Sequence, residues 1–276
     1  MKFGYAIMAA LVLLAGLVSP AWAAEEKPVL MMATTTSTDN TGLLDILSPL
    51  FTKATGIELR WTAVGTGKAL KLGENCDVDV LLVHAPDAEK KYVADGFGVD
   101  RREVMYNDFV IIGPTADPAG IRKKSVAEAL KLIADSQAVM VSRGDKSGTH
   151  QMEIDLWKSS GMPVPEKETW YVQTGQGMLP TMTVAAERNG YTLTDRGTFI
   201  KYEDTMKGNP PLVILVEGDP GLFNQYSVMA VNPERCPKAK YDLATKFSDW
   251  IAGPEGQQAI GAFLLMGKPL FTPNAK

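Results

Sequence analysis

The chain has 276 residues, of which 45% are hydrophobic and 22% charged, and its formal net charge is −4. Such a composition belongs to a globular protein and excludes a disordered one. The mildly acidic balance lacks the basic excess that non-specific nucleic-acid binding needs, so any anion must be drawn by local donors rather than by net charge.

The chain opens with Lys2, an apolar run from Ala6 to Val18, Pro20 and then Ala21-Trp22-Ala23. A charged start, an apolar run too short to span a bilayer and an A-x-A site predict a cleaved signal peptide over residues 1–23, and with it a periplasmic location. No cysteine flanks the cleavage site, which argues against a lipid anchor. No later stretch is apolar over membrane length, so a soluble mature protein without membrane insertion is expected. Its length of about 250 residues allows one large domain or two lobes.

Short β-like runs then alternate with helical patterns, the signature of an α/β fold with parallel strands. Val29–Ala33 reads as a strand, followed by the hydroxyl run Thr34 to Thr38 and a helix marked by Leu43, Ile46, Leu47 and Leu50. Ile57–Ala63 is a second strand leading through Gly65-Thr66-Gly67 into a short helix. Asp79–Val83 is a third, before a helix over Pro86–Ala94. Val110–Ile112 opens a new unit with a helix at Val126–Ile133, a strand at Ala138–Val141, and a helix over Gly148–Trp157. A strand at Trp170–Val172 and a helix over Leu179–Arg188 follow. Leu212–Val216 and Ser227–Val231 are the last strands, and helices over Tyr241–Ile251 and Glu255–Leu264 are broken at Gly253-Pro254.

Tyr106–Pro114 and Asn224–Pro233 both place polar residues before a β run that ends at proline. Side by side they can be the strands by which the chain crosses between two lobes and returns; as separate ordinary strands they would look the same. Cys76 and Cys236 are the only cysteines, far apart in sequence, and in an oxidising compartment they can pair or remain two buried thiols. With His84 and His150 they form no recognisable zinc spacing, so no metal site is expected.

Three segments share one plan, in which a strand ends, small hydroxyl and glycine residues follow, and a helix begins. They are Ala33–Thr38, Val64–Lys68 and Ser142–His150. Helix N-termini expose unpaired N–H groups and about half a positive charge, and several of them converging make an anion site without a metal. Glycine lets the backbone approach closely, and Ser and Thr add short donors. Each segment alone is equally an ordinary N-cap. Neither nucleotide-binding glycine motif is present, so no nucleotide is indicated. Arg143 offers a planar charged fork that matches two oxygens of an oxyanion, or else a surface ion pair with Asp145. Ser147, His150 and Asp155 raise the alternative of an exported serine hydrolase, but the G-x-S-x-G elbow is absent and no catalytic residue is assigned.

The run Thr34-Thr-Thr-Ser37 followed by Asp39-Asn-Thr-Gly42 resembles the tungstate-binding proteins of bacterial ABC uptake systems. The likeness continues through Val64–Leu70, Asp79–Pro86, Tyr106–Val110, Ser142–His150 and Tyr191–Gly197, essentially the whole mature chain. It implies a two-lobed periplasmic-binding-protein fold, each lobe a mixed sheet flanked by helices, with two crossover strands. Lobe I would comprise residues 24–108 plus 228–276, and lobe II residues 109–227. Oxyanion donors are implied at Thr35, Thr36, Ser37 and Thr66 from one lobe, and at Arg143, Ser147, Gly148 and Thr149 from the other. The implied function is capture of tungstate, with molybdate, sulfate or phosphate as alternatives, by a non-catalytic monomer that delivers it to a membrane permease without a cofactor. Phosphate carries a proton and suits an acceptor, and the nearby Asp39 and Asp145 keep it in contention on sequence alone.

Overall fold

The structure is a computed structural model that describes residues 27–276, so the signal-peptide segment lies outside the described residues. In chain order the first half holds β1 (Val29–Thr35), α1 (Thr36–Asp39), α2 (Leu43–Thr55), β2 (Glu58–Val64), α3 (Thr66–Glu74), β3 (Val80–Val83), α4 (Pro86–Ala94) and the long β4 (Gly98–Pro114). Next come α5 (Val126–Ser136), β5 (Met140–Ser142), α6 (Gly148–Ser159), β6 (Tyr171–Gln173), α7 (Met178–Glu187), β7 (Thr192–Asp195), α8 (Arg196–Thr205) and β8 (Leu212–Val216). A 3-10 turn (Pro220–Leu222) leads into β9 (Phe223–Val231), then α9 (Tyr241–Ala252), α10 (Pro254–Ala262) and three two-residue strands, β10 (Leu264–Leu265), β11 (Lys268–Pro269) and β12 (Thr272–Pro273).

The main sheet runs β12-β4-β9-β3-β1-β2. Its β1, β2 and β3 are parallel, with Thr35 opposite Val64 and Thr34 opposite Leu82, so their carboxyl ends share one edge. The two segments proposed to cross between lobes do pair: β4 and β9 are antiparallel, with Tyr106 opposite Gln225 and Asn107 opposite Asn224. Beyond that point β4 leaves β9 and pairs with β7 and β8, carrying the chain into the second lobe. There β5 and β6 are parallel, with Ser142 opposite Gln173.

Besides the three two-residue strands at the C-terminal end, the first of which takes Leu264 from the expected last helix, two larger features escaped the sequence reading. The expected strand at Val110–Ile112 is the tail of a 17-residue strand, whose first half is Asp- and Arg-rich and becomes β structure because β9 pairs with it. Residues 192–205, assigned no element, form β7 and α8. The helix starts where the Asp195 carboxylate accepts the Thr198 N–H at 2.8 Å, and it buries Phe199, Ile200 and Tyr202.

Each lobe has its own apolar interior. One face of α2 (Leu43, Leu44, Leu47, Phe51) packs against β1 and α9, with Phe51 and Phe247 edge to face at 5.1 Å. In the second lobe Trp157, Trp170, Tyr171 and Tyr191 pack with α5, which a Ser125–Glu128 capping box starts. Ile200 and Tyr226, both within the 109–227 segment, are buried in the first interior. Lys201 Nζ donates to the Asn40 carbonyl at 2.5 Å, so α8 bridges the lobes.

Cys76 and Cys236 form a disulfide across 160 residues, tying the end of α3 to the segment after β9. A cross-link of that span restricts the unfolded chain. Replacing both cysteines with alanine is expected to cost about 2–4 kcal/mol of stability, read as a lower denaturant midpoint, with a steeper slope as the released unfolded chain exposes more surface.

Candidate anion-binding site

At the carboxyl edge of β1–β3, Thr35 closes β1 and caps α1. Its hydroxyl oxygen accepts the Thr38 N–H at 3.2 Å and lies 2.7 Å from Thr38 Oγ1 and 3.0 Å from Ser37 Oγ. Thr35 is 3% exposed, whereas Thr36 and Ser37 are exposed. The expected helix α2 begins only after Gly42 at φ +82, and the run itself starts the separate one-turn α1, which carries little dipole. Thr66 begins α3 behind Gly65, which has no side chain with which to cap it.

In the second lobe the loop after β5 is shaped by its own polar atoms. Asp145 accepts the Ser147 N–H at 3.1 Å through one oxygen and Arg143 Nη2 at 2.5 Å through the other, and both side chains are 19% exposed. Burial works to raise the Asp145 carboxyl, but Ser147 and Arg143 outweigh it and hold it below the usual carboxylate range. Arg143 Nε is buried and has no hydrogen-bond partner among the described residues. The loop is pinned to the end of β6, where Gly175 N donates to the Arg143 carbonyl at 2.8 Å. Gly144 sits at φ +59, and a Cβ there would lie 2.8 Å from Gln173 Cβ, so this close approach requires glycine.

Ser147 caps α6 by accepting the His150 N–H at 3.3 Å. Gly148 and Thr149 therefore occupy the first turn, where helical N–H groups have no partner within the helix. Each set of candidate donors stands on parallel strand ends, Thr35, Thr36, Ser37 and Thr66 on one lobe, Arg143, Ser147, Gly148 and Thr149 on the other; among the described residues no side-chain hydrogen bond or ion pair joins the two sets. The serine-hydrolase arrangement is not assembled. His150 Nδ1 accepts the Lys146 N–H at 3.0 Å, Ser147 meets His150 through its backbone, and Asp155 is bonded to Gln151.

The carboxylates near the site are committed elsewhere. Asp39 accepts Trp61 Nε1 at 2.7 Å, Asp145 holds Arg143 and Ser147, and Asp195 caps α8.

The sequence reading passed over His84, one residue beyond β3. Its Nε2 lies 3.0 Å from both Thr35 Oγ1 and Ser37 Oγ, its Nδ1 3.0 Å from Asn224 Oδ1 on β9, and its ring stacks on Tyr226 at 4.6 Å. The rule that ligands gather at the carboxyl ends of parallel strands would have pointed to it, since it follows the Val80–Val83 run directly.

Beneath the Arg143 loop, Glu153 on α6 accepts the Tyr171 hydroxyl at 2.7 Å. Burial pushes its carboxyl above the usual range, with Tyr171 and Ser142 pulling the other way. A folded pKa raised above the unfolded one contributes stability that is full below the unfolded value and is lost as pH rises through the folded value. Glu153→Gln keeps an acceptor for Tyr171 and cannot ionise. Denaturant titrations should show its stability rising relative to wild type as pH climbs above the ordinary glutamate range of about 4.3.

Two α/β lobes joined by paired crossover strands, with donors at strand ends, define the periplasmic-binding-protein class, and the PBP superfamily domain is matched over residues 23–255. The tungstate-binding protein TupA of Campylobacter jejuni is 52% identical over 240 residues, 87% of this chain and 89% of that protein. The solved structure of the tungstate-binding protein TupA from Desulfovibrio alaskensis is 71% identical with a TM-score of 0.89, covering 90% of this chain and 100% of that one. The structure of the tungstate ABC transporter from Geobacter sulfurreducens is 55% identical with a TM-score of 0.73, over 85% of this chain and 98% of that one. The chain belongs to the family of these tungstate-binding proteins.

Proposed function

We propose that the chain captures a tetrahedral oxyanion, tungstate, in the periplasm and delivers it as a monomer to the permease of an ABC transporter. The observation that carries this reading is the 52% identity to a tungstate-binding protein along 87% of the chain. Residues 24–108 with 228–276 form one closing unit and 109–227 the other. The Thr35-Thr36-Ser37 segment and Thr66 supply one side of the site, and Arg143, Ser147, Gly148 and Thr149 the other.

The chemistry of these donors supports the same ligand class. Hydroxyls, first-turn N–H groups and a guanidinium all donate, and an anion bearing no proton accepts from every one of them. Phosphate keeps a proton that calls for an acceptor, and Asp39, Asp145 and Asp195 are each already engaged. Molybdate offers the same four oxygens and the same charge, and is the second ligand of this site. The protein binds and releases its anion unchanged, without a cofactor and without catalysis. Native mass spectrometry of protein purified without added ligand should show a co-purified mass of one tungstate or molybdate per chain. Co-purified phosphate in its place would overturn the ligand.

A further inference from the structure

Thr35, Ser37 and His84 crowd together at the edge of the site, and the tautomer of the ring decides which hydroxyl can serve a ligand. The amide nitrogen of Asn224 donates to Asn107 Oδ1 at 2.7 Å and lies 3.4 Å from the Tyr226 hydroxyl, so its oxygen faces His84 Nδ1. An oxygen there demands a hydrogen on Nδ1. Burial holds the ring's pKa below its ordinary value, against the opposing pull of Asn224 and of Asp195 across from it, so the ring is neutral. Nε2 is therefore an acceptor, with one lone pair and two hydroxyls each 3.0 Å away. Buried Thr35 receives Thr38 N–H on its oxygen, and the geometry lets the Thr38 hydroxyl, 2.7 Å away, donate to that oxygen as well, which would send the Thr35 hydrogen to Nε2. Ser37 is exposed and finds that lone pair taken.

We propose that His84 is a positioning residue of the anion site: fixed by the two crossover strands through Asn224 and Asn107, it engages the hydroxyl hydrogen of Thr35 and leaves that of Ser37 for the oxyanion. Thr35 then shapes the site from inside, and Ser37 is the hydroxyl that touches the ligand. This rests on the reading of the chain as a tungstate receptor.

The test is tungstate affinity by calorimetry for wild type, Ser37→Ala, His84→Phe and His84→Gln, each checked for folding by its melting point. A 15N NMR spectrum of the wild-type imidazoles without ligand accompanies it. Phe keeps the stack on Tyr226 and loses both ring nitrogens, while Gln places an amide oxygen near the position of Nε2. Ser37→Ala and His84→Phe are each expected to bind about tenfold more weakly, and His84→Gln within about threefold of wild type. The spectrum should report His84 as the Nδ1–H tautomer. Equal losses for Phe and Gln, wild-type binding by Phe or by Ser37→Ala, or an Nε2–H tautomer would each overturn the proposal while leaving the receptor intact. Wild-type protein that binds no tungstate would instead remove the receptor reading, and the spectrum would still judge the arrangement of the ring.

Discussion

Replacing Arg143 with alanine should weaken tungstate binding by about ten- to a hundredfold for each charge-assisted hydrogen bond it removes, at about 1.5–3 kcal/mol per bond. The sequence left two roles for this residue, an oxyanion fork or a surface ion pair with Asp145. The structure has the pair, at 2.5 Å, but the pair uses only Nη2 and is largely sheltered from solvent. The buried Nε has no partner, and a buried donor left unsatisfied is costly unless something meets it. On the proposed reading Asp145 is the brace that aims the guanidinium, and the remaining donors are what an oxyanion would fill. Arg143→Lys keeps the charge, loses the fork, and should fall between wild type and alanine. Asp145 retains the Ser147 N–H in either variant, so the loop should stay folded and the ligand-free melting point should change little. Calorimetric titration decides it: undiminished tungstate affinity in Arg143→Ala would return the residue to a structural ion pair.

Much of this was legible from the order of residues. The periodicity of Leu43, Leu47 and Phe51 and the β run at Val80–Val83 are local signals, and those elements stand where expected. The crossover was legible in part: Tyr106–Pro114 and Asn224–Pro233 share a polar-then-apolar plan that fits paired or separate strands alike, and the structure pairs them. The first half of β4 was not, since Asp100, Arg101, Arg102 and Glu103 give no apolar alternation; Arg102 and Glu103 are paired with β9, and Asp100, at φ +53, lies in a bulge between the paired residues. Nor was α8, whose Arg196-Gly197-Thr198 start has weak helical propensity and is held by the Asp195 cap and by burial across the lobe boundary.

At the site, the donor loops stood out because hydroxyl and glycine residues cluster after strands. The partner of Asp39 did not, because Trp61 is 22 residues away and no spacing rule joins them, whereas the Arg143–Asp145 pair was open to a reading from adjacency. That those carboxylates are engaged is what moves the ligand from any tetrahedral oxyanion toward the unprotonated ones. His84 was hidden for the same reason: its meaning lies in Asn224, 140 residues away.

The most direct test of the tungstate assignment is the melting point of protein stripped of bound anion, measured with each of four anions in one buffer. A receptor that binds only when folded gains about 4 kcal/mol at a thousandfold excess of ligand over Kd. For a chain of this size each kcal/mol moves the melting point by about 2–4 °C, so tungstate should raise it by about 8–16 °C. Molybdate should give a comparable or smaller rise, sulfate less because donors spaced for a larger anion reach it poorly, and phosphate least because its proton must be placed against an acceptor and the nearby carboxylates already hold other donors. Arg143→Ala should shrink the tungstate shift. A large shift from phosphate with none from tungstate would contradict the ligand, and no shift from any of the four would contradict the receptor itself.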